Sequence, residues 1–290
     1  MAMPLLDIKS RIEDLDQLPS MPGIARQIVQ LRANPNGGVD DLTKIIENDP
    51  SLAAQVIRYA RSPLYGYRGK VDSVHAAIAR VLGYEMVLNL ALGIATAKPF
   101  KVPRKGPLGL YAFWQHALYS AALTQGLSTL VPSDIRPPAG MAYLAGLLHN
   151  LGHLLLGHLF KQEYLILSKF ILQEPAKPLV ETELEVLGID HGQLGSWLMK
   201  SWGLPEETIV AVQEHHNEDY RGPYAIFPLL VMVSDRILRK QEIGDGNSTE
   251  LPSAVLQYLE ISEYEVLTVT QRVFERGDDL LAMADQMSTV

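Results

Sequence analysis

The chain of 290 residues contains no cysteine, which excludes disulfides, thiolate zinc sites and a cysteine nucleophile together. Any metal it holds must sit on His, Asp, Glu, Asn or water. Long hydrophobic runs are missing as well. The most apolar segment, Met141 to Phe160, is interrupted by His149, Asn150, His153, His158 and several glycines, and falls short of the ~20 clean apolar residues of a membrane helix. The opening MAMPLLDIKSRIEDL has early acidic residues and no long apolar region before a small-residue cleavage site, so it reads as no secretory leader and the chain as cytoplasmic, with no membrane contact. Positive charge is also scarce: a net charge of -8 argues against a general nucleic-acid binder. The locally basic stretch from Arg58 to Lys105, with Tyr59, Tyr65, Tyr67, Tyr84 and Phe100 within it, reads as a solvated face. Neither a phosphate-cradling glycine loop nor a Gly-x-Ser-x-Gly nucleophile element occurs.

What the chain does have is apolar residues at helical spacing. Ile24, Ile28 and Leu31 form one set, Leu42, Ile45 and Ile46 a second, and Val74, Ala77, Ile78, Val81 and Leu82 a third. Period-two alternation is scarce, so the fold class is all-α, a multi-helix bundle. Boundary residues agree: Asp40 can cap a helix beginning at Asp41, Pro50 suits a first turn and Gly83 a helix end. Two connections rich in proline or glycine, KPFKVPRKGPLG (Lys98 to Gly109) and EIGDGNST (Glu242 to Thr249), mark module borders. The chain thus divides into an N-terminal helical subdomain (1–100), a second helical subdomain rich in histidine (101–242) and a helical tail (243–290). In the tail, Ser262 and Glu265 form a capping box that opens a helix through Val269, Val273 and Leu280. Trp114, Trp197 and Trp202 read as core anchors, and Glu206 and Glu207 as helix-start carboxylates.

Seven of the eight histidines lie in the second subdomain. His116 is in WQHALYSAAL, His149 and His153 are in GLLHNLGH, His191 is in GIDHGQLG, His215 and His216 are in VQEHHNEDY, and Asp235 follows in VMVSDRIL. Four residues apart, His149 and His153 would share one helix face. The adjacent His215 and His216 cannot both point the same way on a regular helix, which leaves one as ligand and the other as an outer group. The set can converge on a metal in a bundle core, or its members can be hydrogen-bonded groups that set the packing. His75 and His158 read as helix-face residues outside the set.

The segment LPSMPGIARQIVQLRANPNGGVDDLTKIIENDPSLAAQVIRYARS, the following VDSVHAAIARVLG, the GLLHNLG helix and DHGQLGSWLMKSWGLP resemble the HDOD domain over roughly residues 18 to 220. The resemblance implies an all-helical fold related to the HD phosphohydrolases and the HD-GYP phosphodiesterases of cyclic di-GMP. It also implies a bacterial signalling or output module without an established activity. Carried over by position, the ligands of active HD enzymes fall on His116, His149, Asn150, His191, His215, His216 and Asp235. Asn150 stands where those enzymes have aspartate, His153 where they have lysine, and Ala112 where HD-GYP enzymes have a glutamate; no GYP motif follows.

A neutral amide binds hard cations more weakly than a bridging carboxylate, so a two-metal hydrolytic centre is not expected and no residue is assigned as catalytic. Five imidazoles and one carboxylate remain, in an order suited to one divalent transition metal: iron, zinc, nickel or manganese, with copper also at home among nitrogens. The resemblance therefore implies a non-catalytic regulatory module with a signalling protein as partner. The alternatives are a metal-dependent phosphohydrolase and a receptor for a nucleotide second messenger.

Overall fold

A computed structural model describes Ile8 and residues 18–244 and 248–289. The leader reading of the first fifteen residues, and part of the Glu242–Thr249 border, lie outside the described residues. The described residues form helices and no β-strand, as the 3.6-residue periodicity requires.

The N-terminal layer comprises α1 (Gly23–Arg32), α2 (Val39–Glu47), α3 (Pro50–Arg61), the short α4 (Val74–Ala77), which runs into one π-turn, and α5 (Tyr84–Ala97). The start of α3 is fixed by Asp49, whose carboxylate accepts from the amides of Ser51 and Leu52 at 3.0 and 3.1 Å. Helix α2 starts at Val39 rather than Asp41, because the carboxylate of Asp41 reaches back to the Gly38 amide at 3.2 Å. Asp41, not Asp40, is the capping group. Gly83 ends the π-turn with φ of 80°, a left-handed conformation that costs glycine little. Every residue of α5 from Met86 to Ala97 is buried, so this helix forms the floor between the N-terminal layer and the rest of the molecule.

After the helix-free linker 98–109 comes α6 (Leu110–Ser128), the axis of the protein. Around it pack α7 (Ala139–Leu148), α13 (Ile226–Lys240) and the tail helices α15 (Glu263–Phe274) and α16 (Gly277–Met287). Helices α8 (Leu151–Leu159), α9 (Lys161–Gln173), α10 (Leu179–Leu187), α11 (His191–Ser201) and α12 (Glu206–Glu214) complete the second layer; α14 (Ser253–Leu259) leads into the tail. The capping box at Ser262 and Glu265 is present, with Ser262 N–H donating to Glu265 Oε2 at 3.0 Å. Its helix nevertheless stops at Phe274, and Leu280 belongs to the next one. Gly277 lies so close to the Tyr119 hydroxyl that any Cβ there would collide with it, and the chain turns to accommodate that contact. Trp114 and Trp202 are buried and Trp197 is partly buried, and the Trp202 indole N–H donates to Pro19 O at 2.7 Å.

No helix among the described residues is long and apolar enough to cross a membrane.

Candidate metal centre

The apolar segment from Met141 to Phe160 is not one helix. It breaks at His149 and Asn150, between α7 and α8, and Asn150 has φ -98° and ψ 16°. His149 and His153 therefore do not share a face, and their rings serve different groups. Helix α12 likewise ends at Glu214, so His215 and His216 sit beyond it and are freed from the 100° separation of a regular helix. Their ring centroids lie 4.0 Å apart, and both rings reach His191.

Two glycine crossings bring the donors together. A Cβ on Gly146 would lie 2.7 Å from Ser120 O, so α7 meets α6 backbone to backbone, which sets His149 against His116. A Cβ on Gly152 would run into the carbonyl of His191, and one on Gly195 would lie 3.2 Å from Gly152 N. Helix α8 therefore touches α11 directly, and the rings of His153 and His191 come to 4.2 Å.

The donors expected from the sequence gather in two triads rather than one set, and a third group, His153, Glu183 and His191, shares His191 with the second. In the first, His116 Nε2 lies 2.9 Å from His149 Nε2 and 3.1 Å from Asp235 Oδ1, and His149 Nε2 lies 3.4 Å from the same oxygen. In the second, His191 Nε2 lies 3.1 Å from His215 Nε2 and 3.1 Å from His216 Nε2. The rings of His149 and His215 are 5.0 Å apart, so the triads are neighbours. All six residues are buried except His216, which is partly so. Separations of about 3 Å are those expected of donor atoms around one cation at about 2.1 Å.

The outer contacts fix the ring tautomers. His149 Nδ1 donates to Gly146 O at 2.8 Å, His215 Nδ1 to Val212 O at 2.8 Å, and His191 Nδ1 to Glu183 Oε2 at 2.7 Å. A neutral imidazole has one N–H, so in each of the three the lone pair lies on Nε2, the atom directed into its triad. This is the arrangement that orients ligating histidines. In the first triad His116 can donate from Nε2 to His149 and Asp235. In the second, the lone pairs of His191 and His215 face each other across 3.1 Å, which is repulsive unless a proton or a metal cation lies between them. The buried Oδ2 of Asp235 has no hydrogen-bond partner, so the first triad too has an anionic atom that a cation would satisfy. The residues present therefore fit a divalent metal, and the buried His/Asp groups could hold one.

Glu183 is a member of this cluster that sequence reasoning missed. It is 1 % exposed, and its Oε1 lies 2.9 Å from His153 Nε2 while Oε2 accepts from both the ring and the backbone N–H of His191. Burial raises its pKa, but the imidazoles of His191 and His153 outweigh this and bring it down to about 2. The carboxylate is therefore ionised and only accepts. The signal was available: Leu179, Glu183, Val186 and Leu187 occupy one helical stripe of α10, and a glutamate on an apolar stripe needs a partner.

The remaining assignments divide cleanly. Asn150 is buried and lines, with His116, His153 and Ala112, a cavity of about 590 Å³ whose wall includes Lys177 and Arg239. Gly244, at φ 77°, returns over this cavity so closely that a side chain there would strike the His116 ring. His75 is exposed. His158 lies apart, half-buried, its Nδ1 accepting from the Lys101 amide at 3.2 Å.

Comparison with known proteins places this fold. Residues 18–218 match the HDOD domain family, and the chain belongs to it. A crystal structure of a candidate signal transduction protein from Marinobacter aquaeolei VT8 is 35% identical, covering 98% of this chain and 62% of the other, with a TM-score of 0.83. An HDOD domain protein from Geobacter sulfurreducens is similar at 20% identity and a TM-score of 0.73, covering 98% of this chain and 100% of the other. A candidate metal-dependent phosphohydrolase from Shewanella amazonensis SB2B shares the fold at 18% identity and a TM-score of 0.65, covering 96% of each chain. An uncharacterised protein of Treponema pallidum is 23% identical over 271 residues, 92% of this chain but 50% of its own length. The chain thus spans half of that curated relative.

Proposed function

We propose that this HDOD chain is a regulatory signalling module that binds divalent transition metal at two histidine triads and does not hydrolyse phosphoesters. The observation that carries the reading is the carboxylate inventory of the site. Asp235 is the carboxylate of the first triad, the second has none, and Glu183 is engaged by two imidazoles. Asn150 supplies a neutral amide where the active HD enzymes place their aspartate, and Ala112 lines the cavity at the position of the HD-GYP glutamate.

His116, His149 and Asp235 would hold one cation, and His191, His215 and His216 a second. Such a cation supplies Lewis acidity when bound. The protein's own contribution is to hold Nε2 lone pairs inward, through Gly146 O, Val212 O and Glu183, and to exclude water by burial. The occupied site would lock α6, α7, α11, α12 and α13 together and so transmit a state to a protein partner. The Marinobacter relative, described as a signal transduction protein, supports this reading.

A second reading rests on the 590 Å³ cavity, whose size suits a small ligand: a receptor for a nucleotide second messenger at the same site.

Elemental analysis of tag-free protein by plasma mass spectrometry, beside the His215→Ala and Asp235→Ala variants, tests the metal. The expected result is a transition metal in near-stoichiometric amount that falls in both variants, with no phosphodiester turnover. Metal-dependent hydrolysis of a nucleotide that disappears in His149→Ala would instead make the protein an enzyme.

A further inference from the structure

A second cavity, of about 700 Å³, meets α8 one turn further along, at Gly157, and shares no residue with the one at the histidines. It is formed where the linker 98–109 crosses α8 and α9. Gly157 permits the crossing: a Cβ there would lie 3.0 Å from Val102 and 3.1 Å from the Tyr164 ring. The linker is anchored by Phe100 and Val102, 5 % and 8 % exposed, and these two side chains with Leu110 and Leu165 give the cavity apolar walls.

Its polar groups share one character. Lys98, Lys101 and Lys161 all line it. Lys98 is matched by Asp49 at 2.5 Å. Lys101 and Lys161 both act on the neighbouring His158, which is held below its ordinary pKa by burial and then by these two ammonium groups. Lys161 and Tyr164 are three apart on α9, on one face. The Tyr164 side chain is 3 % exposed, and its hydroxyl is buried with no hydrogen-bond partner. A buried hydroxyl without a partner is costly, and the residue that carries it lines an apolar cavity edged by cations.

We propose that this pocket binds a small amphiphilic anion, an acidic head group on a short apolar chain. Lys101 and Lys161 take the head group, the Tyr164 hydroxyl donates to one of its oxygens, and Phe100, Val102 and Leu165 cover the chain. The site is independent of the metal reading.

Calorimetric titration of the full chain with decanoate and with decyl phosphate, both below their micellar concentrations, and with decylamine as a cationic control, tests it. Binding of an anion but not of decylamine is expected, weakened about tenfold by Lys101→Glu combined with Lys161→Glu, the loss of a charge-assisted contact. Preference for decanoate would identify a carboxylate head group and preference for decyl phosphate a phosphate one. Tyr164→Phe should bind the anion several-fold more weakly yet melt at a higher temperature without ligand, a pair of effects that a packing role alone does not produce. No heat with either anion, equal binding of decylamine, or unchanged affinity in the double lysine variant or in Tyr164→Phe would overturn the proposal.

Discussion

The two triads are built from similar donors and differ in what they need. His116, His149 and Asp235 can satisfy one another, because the imidazole N–H of His116 lies within reach of both the His149 lone pair and the carboxylate. In the second triad the ring protons of His191 and His215 are committed outward to Glu183 and Val212, so their lone pairs meet at 3.1 Å and His216, 3.1 Å from His191 Nε2, is the ring that can donate inward. On the proposed reading, a cation between these rings would relieve that contact. The carboxylate that balances it, Glu183, stands one shell further out. The comparison teaches that the placement of carboxylates, more than the number of histidines, decides how each half of the site behaves.

The strongest way to break the comparison is to remove that outer carboxylate. Glu183→Ala strips His153 and His191 of their shared acceptor. Each buried donor left without its acceptor costs about 1–3 kcal/mol, and loss of an outer partner of a ligating histidine weakens metal binding about 10–100-fold. Urea unfolding and metal titration should both register the change. Asp235→Asn should instead leave the second triad's metal in place. Equal loss of metal in the two variants would show that the triads act as one site.

A smaller perturbation separates them through the backbone. Gly146→Ala loosens the crossing of α6 and α7 that pairs His116 with His149, whereas Gly152→Ala pushes α8 off α11 and carries His153 away from His191. Overpacking of this kind costs about 1–3 kcal/mol. Thermal melts should report the larger destabilisation for Gly152→Ala, whose Cβ would meet His191 O more closely than the 2.7 Å from Ser120 O in Gly146→Ala, while the metal lost should come from the second triad in that case and the first in the other.

Much of this was legible in the sequence, and its limits have physical causes. The all-α class follows from apolar periodicity, and the two triads are composed of residues that the family resemblance had already picked out. The position of chain breaks was not legible. The spacing of His149 and His153 assumed a continuous helix, but the chain turns at Asn150, and the same assumption made His215 and His216 look incompatible. The break at Asn150 lies between the Gly146 and Gly152 crossings, which are tertiary contacts and leave no periodic trace. Glu183 escaped because its partners, His153 and His191, lie 30 and 8 residues away. His153, read only as a departure from a lysine, proves to be half of that network.

Asn150→Asp sharpens the comparison from the other direction. The residue is buried on the wall of the cavity that also exposes His116 and His153, and it belongs to the turn that parts the two helices carrying His149 and His153. A carboxylate there adds a full negative charge beside donor sets that hold only one between them. Without metal that charge is buried among imidazoles, so the apo variant should gain nothing in stability or lose slightly. With metal the balance reverses, and affinity should rise about tenfold, equivalent to about 1.4 kcal/mol. Competition of both proteins against a chelator of known affinity measures the difference directly. If the variant also shows phosphodiester turnover, the amide at position 150 accounts for the lack of hydrolysis proposed for the natural chain. If affinity rises without turnover, then Ala112 and His153, the other departures from the hydrolytic pattern, are enough to hold it so.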